Sequence, residues 1–237
     1  MSNFLGVLGG MGPLATADFL RKVVENTPAS VDQEHIPVLL YGDCTTPDRT
    51  ENIMGRGPSP LPQLLEGIRV LNQSGVRAIC IPCNSAHCWF DEMAAASAVP
   101  LFHIVRASAA QVRKKNPAAR VVGVLSTSGT NKMGIYRKTL TDMGYAVVTP
   151  TDDEFATLVS PAIALIKANR LDEAEAVFEK AATRLRERGA EIIILGCTEI
   201  PIGMRNQYRA DPSRFVDSND ALALEVIEFF AGLKKSP

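Results

Sequence analysis

Two cysteines, Cys83 and Cys197, close matched phrases in this sequence, AICIPCNS and EIIILGCTE, each a short apolar run that ends in Cys and a polar residue. A buried cysteine on its own is more often a small packing residue than a reactive one. The pair is different, because Leu71, Gly75, Ile79, Ile81 and Cys83 recur at the same spacing as Leu185, Gly189, Ile193, Leu195 and Cys197. Upstream, Gly6-Val7-Leu8 and Gly123-Val124-Leu125 stand at nearly the same distance from their respective cysteines. Such self-similarity marks a duplicated half-domain, and it sets the cysteines at equivalent strand ends, where open parallel sheets bind their ligands. If the halves face one another, a small molecule held between them meets a thiol on each face. A thiolate on one face can remove a proton while the opposite thiol returns one, and that sequence inverts a stereocentre. A helix start after each cysteine is expected to depress its pKa from the free value of about 8.5 toward neutrality, through the helix dipole and backbone N–H groups.

The elements that must hold these thiols alternate in type. Strand-like runs at 4–8, 38–41 and 78–81 are interleaved with helix-length amphipathic segments at 14–26 and 61–73, and a helix is expected near 87–96. A second series follows Asn116-Pro117, with strands at 121–125, 145–148 and 192–195 and helices at 135–142, 160–168 and 171–186. A last helix, near 219–230, is expected to pack back on the first half. Strands alternating with helices imply parallel strands joined by right-handed crossovers. The fold is therefore α/β, and 237 residues suffice for one large domain or two small ones that share a cleft.

Composition narrows the partners. The chain is 46% hydrophobic and 22% charged, with a formal net charge of −1, which leaves no basic excess for nucleic acid or an anionic membrane. Residues 1–10 lack the basic start of a signal peptide and run straight into a strand, and no apolar run approaches a membrane span. Five cysteines, an odd number without a secretion signal, point to reduced thiols in the cytoplasm rather than to a disulfide framework.

Three other readings compete. Gly10-Met11-Gly12-Pro13-Leu14-Ala15 fits the dinucleotide fingerprint G-x-G-x-x-A, although the acidic residue that should follow, Asp43, sits beyond the usual spacing. Cys80 and Cys83 imitate a C-x-x-C redox motif, and with His87 and Cys88 a metal cluster. Against both, residues three apart on a strand point to opposite faces, so Cys80 and Cys88, and Cys44 with them, read as packing residues. A two-lobed cleft could also bind acidic amino acids as a sensor, without turnover.

The phrases LGGMGP from Leu8, PDRT from Pro47, PCNSAH from Pro82, STSGT from Ser126 and GCTEIP from Gly196 together resemble aspartate racemases of the aspartate/glutamate racemase superfamily, over essentially the full length. The resemblance implies two pseudo-symmetric three-layer α/β domains with mostly parallel sheets and an active site in the interdomain cleft. With the duplication, it divides the chain into residues 1–102 plus 212–237 and residues 103–211. It also implies an isomerase without pyridoxal phosphate or metal, usually a homodimer, whose substrate is a small acidic amino acid, aspartate first and glutamate second. Gly9-Gly10 and Glu199 stand where glutamate racemases carry Asp-Ser and a His, which favours the aspartate branch. Ser85 stands where the family often has Thr, and the hydroxyl survives. Racemases and isomerases of other small amino or carboxylic acids share the same paired cysteines.

By this resemblance Cys83 and Cys197 are the proton carriers. Met11, Asn84, Ser85, Thr127 and Thr198 bind the substrate's α-carboxylate or amine through side chains and adjacent backbone N–H groups. Arg49 and Lys167 are the cationic recognition residues, chemistry that suits a dicarboxylate because a guanidinium can grip a carboxylate with two bonds and Lys supplies a mobile point charge. Without the resemblance, Arg49 reads as a surface arginine in a turn and Lys167 as part of a solvated helix face. Glu199 is expected to brace the loop beside Cys197, and the Gly/Pro-rich stretch 55–62 is a loop that could serve as a lid.

Overall fold

Strand sequences such as LGVLG and IIILG are buried along their whole length, which is what a parallel sheet covered by helices on both faces demands. The computed structural model describes residues 3–234. In the first lobe β1 (Leu5–Gly9), α1 (Pro13–Asn26), β2 (Val38–Gly42), α2 (Arg49–Ile53), α3 (Leu61–Gln73), β3 (Ala78–Cys80), α4 (Phe90–Ala96) and α5 (Ile104–Lys115) follow one another. The second half runs β4 (Val121–Ser126), α6 (Ser128–Met133), α7 (Ile135–Asp142), β5 (Ala146–Val148), α8 (Asp152–Glu154), α9 (Ser160–Lys167), α10 (Leu171–Glu187), β6 (Ile192–Gly196), α11 (Ile200–Gly203), α12 (Arg205–Ala210), β7 (Phe215–Asp217) and α13 (Ser218–Lys234).

The two sheets have the orders β2-β1-β3 and β5-β4-β6-β7, every pairing parallel. Beyond β3, Leu101 forms a parallel bridge to Ile79 in the place that β7 takes beyond β6. The halves therefore share one topology, as the repeated spacing implies. Gly75 and Gly189 end α3 and α10 at equivalent points with φ of +68° and +91°, left-handed backbone that glycine adopts without a Cβ penalty. Leu71, Leu185, Ile79 and Ile193, the matched apolar residues around them, are all buried.

After Leu101 the chain leaves the first sheet, and α5 packs against β6, β7 and α7 of the second lobe. Helix α13 crosses back onto α1 and α5. Its strand does not: β7 pairs with β6 in the second sheet, although the sequence groups 212–237 with the first half. The junction is also ionic. Lys22 on α1 is buried and pairs with Asp18 at 2.6 Å and with Asp217 at the end of β7. Burial works against its charge, but Asp217 and Asp18 outweigh it and raise the ammonium's pKa. Among the described residues no helix is long and apolar enough to cross a membrane.

Candidate active site

Cys83 follows β3 by a tight turn in which its N–H donates to the Ile81 carbonyl at 2.8 Å, and a 3-10 helix, Ser85–Trp89, begins just beyond. The turn is held from behind by His87. Its Nδ1 lies 2.8 Å from the Cys83 carbonyl and its Nε2 accepts the Ile104 N–H at 3.1 Å, so the imidazole is neutral with its proton on Nδ1. Burial pushes its pKa down to about 4 from 6.5. The unfolded chain takes up this proton near pH 6.5 while the folded chain resists until about 4, so the stability it contributes is complete above the upper value and disappears as pH falls through the window. The loss is on the order of 3 kcal/mol. Urea titrations from pH 7 to 4 should show it, and His87→Asn should flatten the slope; an unaltered slope in the variant would contradict this account.

Cys197 leaves the end of β6 directly. Its Sγ donates to Glu199 Oε2 at 3.1 Å, and the Thr198 hydroxyl donates to the same oxygen at 3.3 Å. Burial, then the neighbouring Glu199 carboxylate, raise the Cys197 pKa well above its ordinary value. This corrects the expectation of a helix-depressed thiol. Helix α11 has four residues, and a full negative charge in hydrogen-bond contact outweighs a weak dipole. Cys197 rests as a thiol, and Glu199, expected to brace the loop beside it, accepts a hydrogen bond from its sulfur directly.

Both cysteines line one cavity of about 30 Å³, and Met11, Arg49, Asn84, Ser85, Thr127, Lys167 and Thr198 line it with them. The Cys83 Sγ lies 3.6 Å from the Ser85 hydroxyl. Asp48, Thr50 and Ile163, which stand outside the expected site residues, also face the cavity. Two of these flank Arg49, and Ile163 precedes Lys167 by one helical turn on α9, so helix periodicity could have found it.

The cations are held differently. Arg49 is half-buried, with Nη1 donating to the carbonyls of Thr46 and Pro47 at 3.1 and 2.9 Å and Nη2 to that of Met11 at 3.4 Å. Its Nε–H is buried without a partner, a donor that a ligand oxygen can satisfy. This is no surface arginine. Lys167, about half exposed, lies 3.5 Å from Asp48 across the two lobes. The other Asp48 oxygen caps α2, accepting from the N–H groups of Thr50 and Glu51. Burial opposes ionisation of Asp48, but these N–H groups together with Lys167 and Arg49 prevail and hold its pKa below the ordinary value.

Asn84 has its side chain committed within the fold. Its Oδ1 accepts from the Tyr136 hydroxyl at 2.5 Å and its Nδ2 donates to Ser218 Oγ at 2.9 Å, while that serine donates to the Leu195 carbonyl at 2.8 Å. A buried polar strut thus runs from the residue after Cys83 to the strand that delivers Cys197. The Asn84 amide, expected to bind substrate, also serves this strut, and the residue lines the cavity. Thr127 is committed likewise, accepting the Thr130 N–H to cap α6. Tyr136→Phe should leave a buried carbonyl oxygen unpaired and cost roughly 1–3 kcal/mol, to be read as a lower midpoint in denaturant; an unchanged midpoint would show the strut is dispensable for stability.

Near the cavity the lobes meet where α2 leans on α6. A Cβ added to Gly129 would lie 3.0 Å from the Thr50 Cα, so a larger residue there would push α2 and α6 apart by a few tenths of an ångström. The remaining cysteines divide. Cys80 is buried in the core and Cys88 is half-buried, but Cys44 is exposed, which corrects its reading as a packing residue. Among the described residues no group of three or more His, Cys, Asp or Glu could hold a metal ion.

Residues 8–226 match the family model described as Asp/Glu/Hydantoin racemase. A relative from Bacillus subtilis (strain 168), a broad specificity amino-acid racemase, is 29% identical over 95% of this chain and 97% of its own length. Among solved structures, an aspartate racemase from Picrophilus torridus is 30% identical, with a TM-score of 0.85 over 97% of this chain and 95% of that one. The glutamate racemase of Francisella tularensis subsp. tularensis, solved with D-glutamate, shares the fold at a TM-score of 0.72 and 16% identity, covering 97% of this chain and 81% of its own.

Proposed function

Since the chain belongs to the Asp/Glu/hydantoin racemase family, we propose that it racemises a small acidic amino acid, aspartate or glutamate, with Cys83 and Cys197 as the two proton carriers. One observation carries the reading: two buried thiols, delivered by equivalent strands of a duplicated fold, line a single cavity. Cys197, kept as a thiol by burial and Glu199, is the acid, and Cys83 is the base. The Cα–H bond breaks as its proton passes to the Cys83 sulfur, and the Cys197 S–H bond breaks as its proton reaches Cα from the opposite face. The product leaves the roles exchanged, ready for the opposite enantiomer, and relocation of the proton resets the site.

The developing charge on the α-carboxylate needs preorganised donors. Ser85 and Thr198, the latter turning its hydroxyl from Glu199 to the substrate, supply them together with backbone N–H groups of the two cysteine loops. The unpartnered Arg49 Nε–H and the Lys167 ammonium suit the side-chain carboxylate. The cavity is too small for an amino acid as it stands, so the lobes part to admit one. The same resemblance supports a homodimer, and the exposed Leu39 and Leu40 on edge strand β2 offer an apolar surface for it. Free cysteines throughout the described residues suit a reducing cytoplasm.

The test is proton NMR of the purified protein with L- and D-aspartate and L- and D-glutamate in deuterated water. Loss of the Cα–H signal with appearance of the opposite enantiomer supports racemisation. Saturable binding without exchange would turn the reading to a sensor.

A further inference from the structure

The inner cavity, about 30 Å³, holds little more than a water or two. A substrate with its α-carbon between Cys83 and Cys197 has to direct its side chain elsewhere. A second cavity of about 600 Å³ adjoins the first, sharing Asp48, Arg49, Lys167 and Glu199 with it. Beyond these four, Pro13 and Leu14 at the start of α1 face it with exposed apolar side chains, while Ala15 and Ile166, which also border it, are themselves buried. Leu14 is 46% exposed, so nothing within the chain covers this large apolar side chain. A concave space of this size, apolar with a few charged groups at one end, has the composition of a small-molecule site. The charged groups stand at the threshold between the cavities, where Lys167 and Asp48 form a loose pair at 3.5 Å, both partly exposed. Such a pair opens easily.

Resting on the racemase reading above, we propose that the outer cavity is the subsite for the substrate's side chain, and that it takes side chains with an apolar stem longer than those of aspartate and glutamate. A short acidic side chain reaches only the threshold, where Arg49 and Lys167 meet its carboxylate. A longer one passes between them and lies along Pro13 and Leu14. Asp48 and Lys167 then separate around it. The two cavities divide recognition: the inner one handles the α-carbon and its substituents, the outer one accepts variation.

Norleucine is the probe, with aspartate as internal reference, and both are followed by Cα–H exchange in deuterated water with wild-type protein and Leu14→Trp. Leu14 is exposed, so a larger residue fills the outer cavity without disturbing the core. Exchange of norleucine by the wild type, with a norleucine-to-aspartate ratio of kcat/KM that falls about tenfold or more in Leu14→Trp, is the expected result. Aspartate exchange without norleucine exchange, or a ratio that Leu14→Trp leaves unmoved, overturns the subsite while the racemase reading stands. No exchange of norleucine, aspartate or glutamate by the wild type removes that reading and the subsite with it.

Discussion

Replacing either Cys83 or Cys197 with Ser is expected to lower racemisation by roughly three orders of magnitude, within the range over which a positioned acid or base accelerates proton transfer. A hydroxyl is nearly isosteric with a thiol, and both residues are buried, at 3% and 5% exposure, so the fold has little reason to change. What changes is acidity. A serine hydroxyl neither ionises near neutrality to act as base nor gives up its proton readily as acid. In the proposed mechanism the two sulfurs act in series on opposite faces, so losing one stops inversion as completely as losing both, and the double variant should be no worse than either single one. Enantiomer interconversion by NMR or circular dichroism measures the loss, and a melting curve separates it from misfolding. Turnover near the wild-type level in either folded variant would end the two-base mechanism.

Glu199→Gln is the second large effect. The groups facing Cys197 are Glu199 in hydrogen-bond contact and Cys83, with Tyr136 close by and Asp48, Arg49 and Lys167 lining the same cavity. Of these, Glu199 is the carboxylate that accepts the thiol's proton. A negative charge there disfavours a second one on sulfur, so removing it makes the Cys197 thiolate easier to form. The active form needs one thiol and one thiolate. The alkaline limb of the pH profile, where the remaining thiol ionises, should therefore move to lower pH in the variant. Measuring kcat/KM from pH 6 to 10 in both proteins checks this. A limb that stays in place, or moves upward, would mean that Glu199 does not govern the proton on Cys197. Glutamine keeps the shape and an acceptor oxygen, so a purely structural role predicts lower stability with no shift of the limb.

The sequence discloses the strands that carry the thiols because a doubly covered parallel strand is a continuous apolar run, and here the run is written twice. Other elements leave weaker traces. Helix α5 leaves little trace because its buried face is made of Ala107, Ser108 and Ala109 as much as of Ile104, Val105 and Val112, so its apolar period is shallow. Strand β7 is three residues long, too short to show an alternation. Lys22 looks like part of a solvated helix face, and only the fold brings Asp217, 195 residues away, against it. All nine residues named for the site line one cavity, yet their states were not legible. Whether Cys197 is a thiol depends on which way the Glu199 carboxylate turns, and whether the Asn84 amide is available depends on Tyr136 and Ser218. Orientation of that kind has no signature in spacing.

The strut of Asn84, Tyr136 and Ser218 sets what the site will tolerate. Hydrogen bonds have nearly fixed lengths, whereas packed apolar side chains shift by tenths of an ångström when a neighbour grows or shrinks. The strut joins the residue after Cys83 to the strand that delivers Cys197 through contacts of the first kind. A change at Asn84, Tyr136 or Ser218 therefore bears more directly on how the two cysteine loops stand to one another than a change of one apolar residue in either lobe's core, so the hinge between the thiols is written in polar side chains.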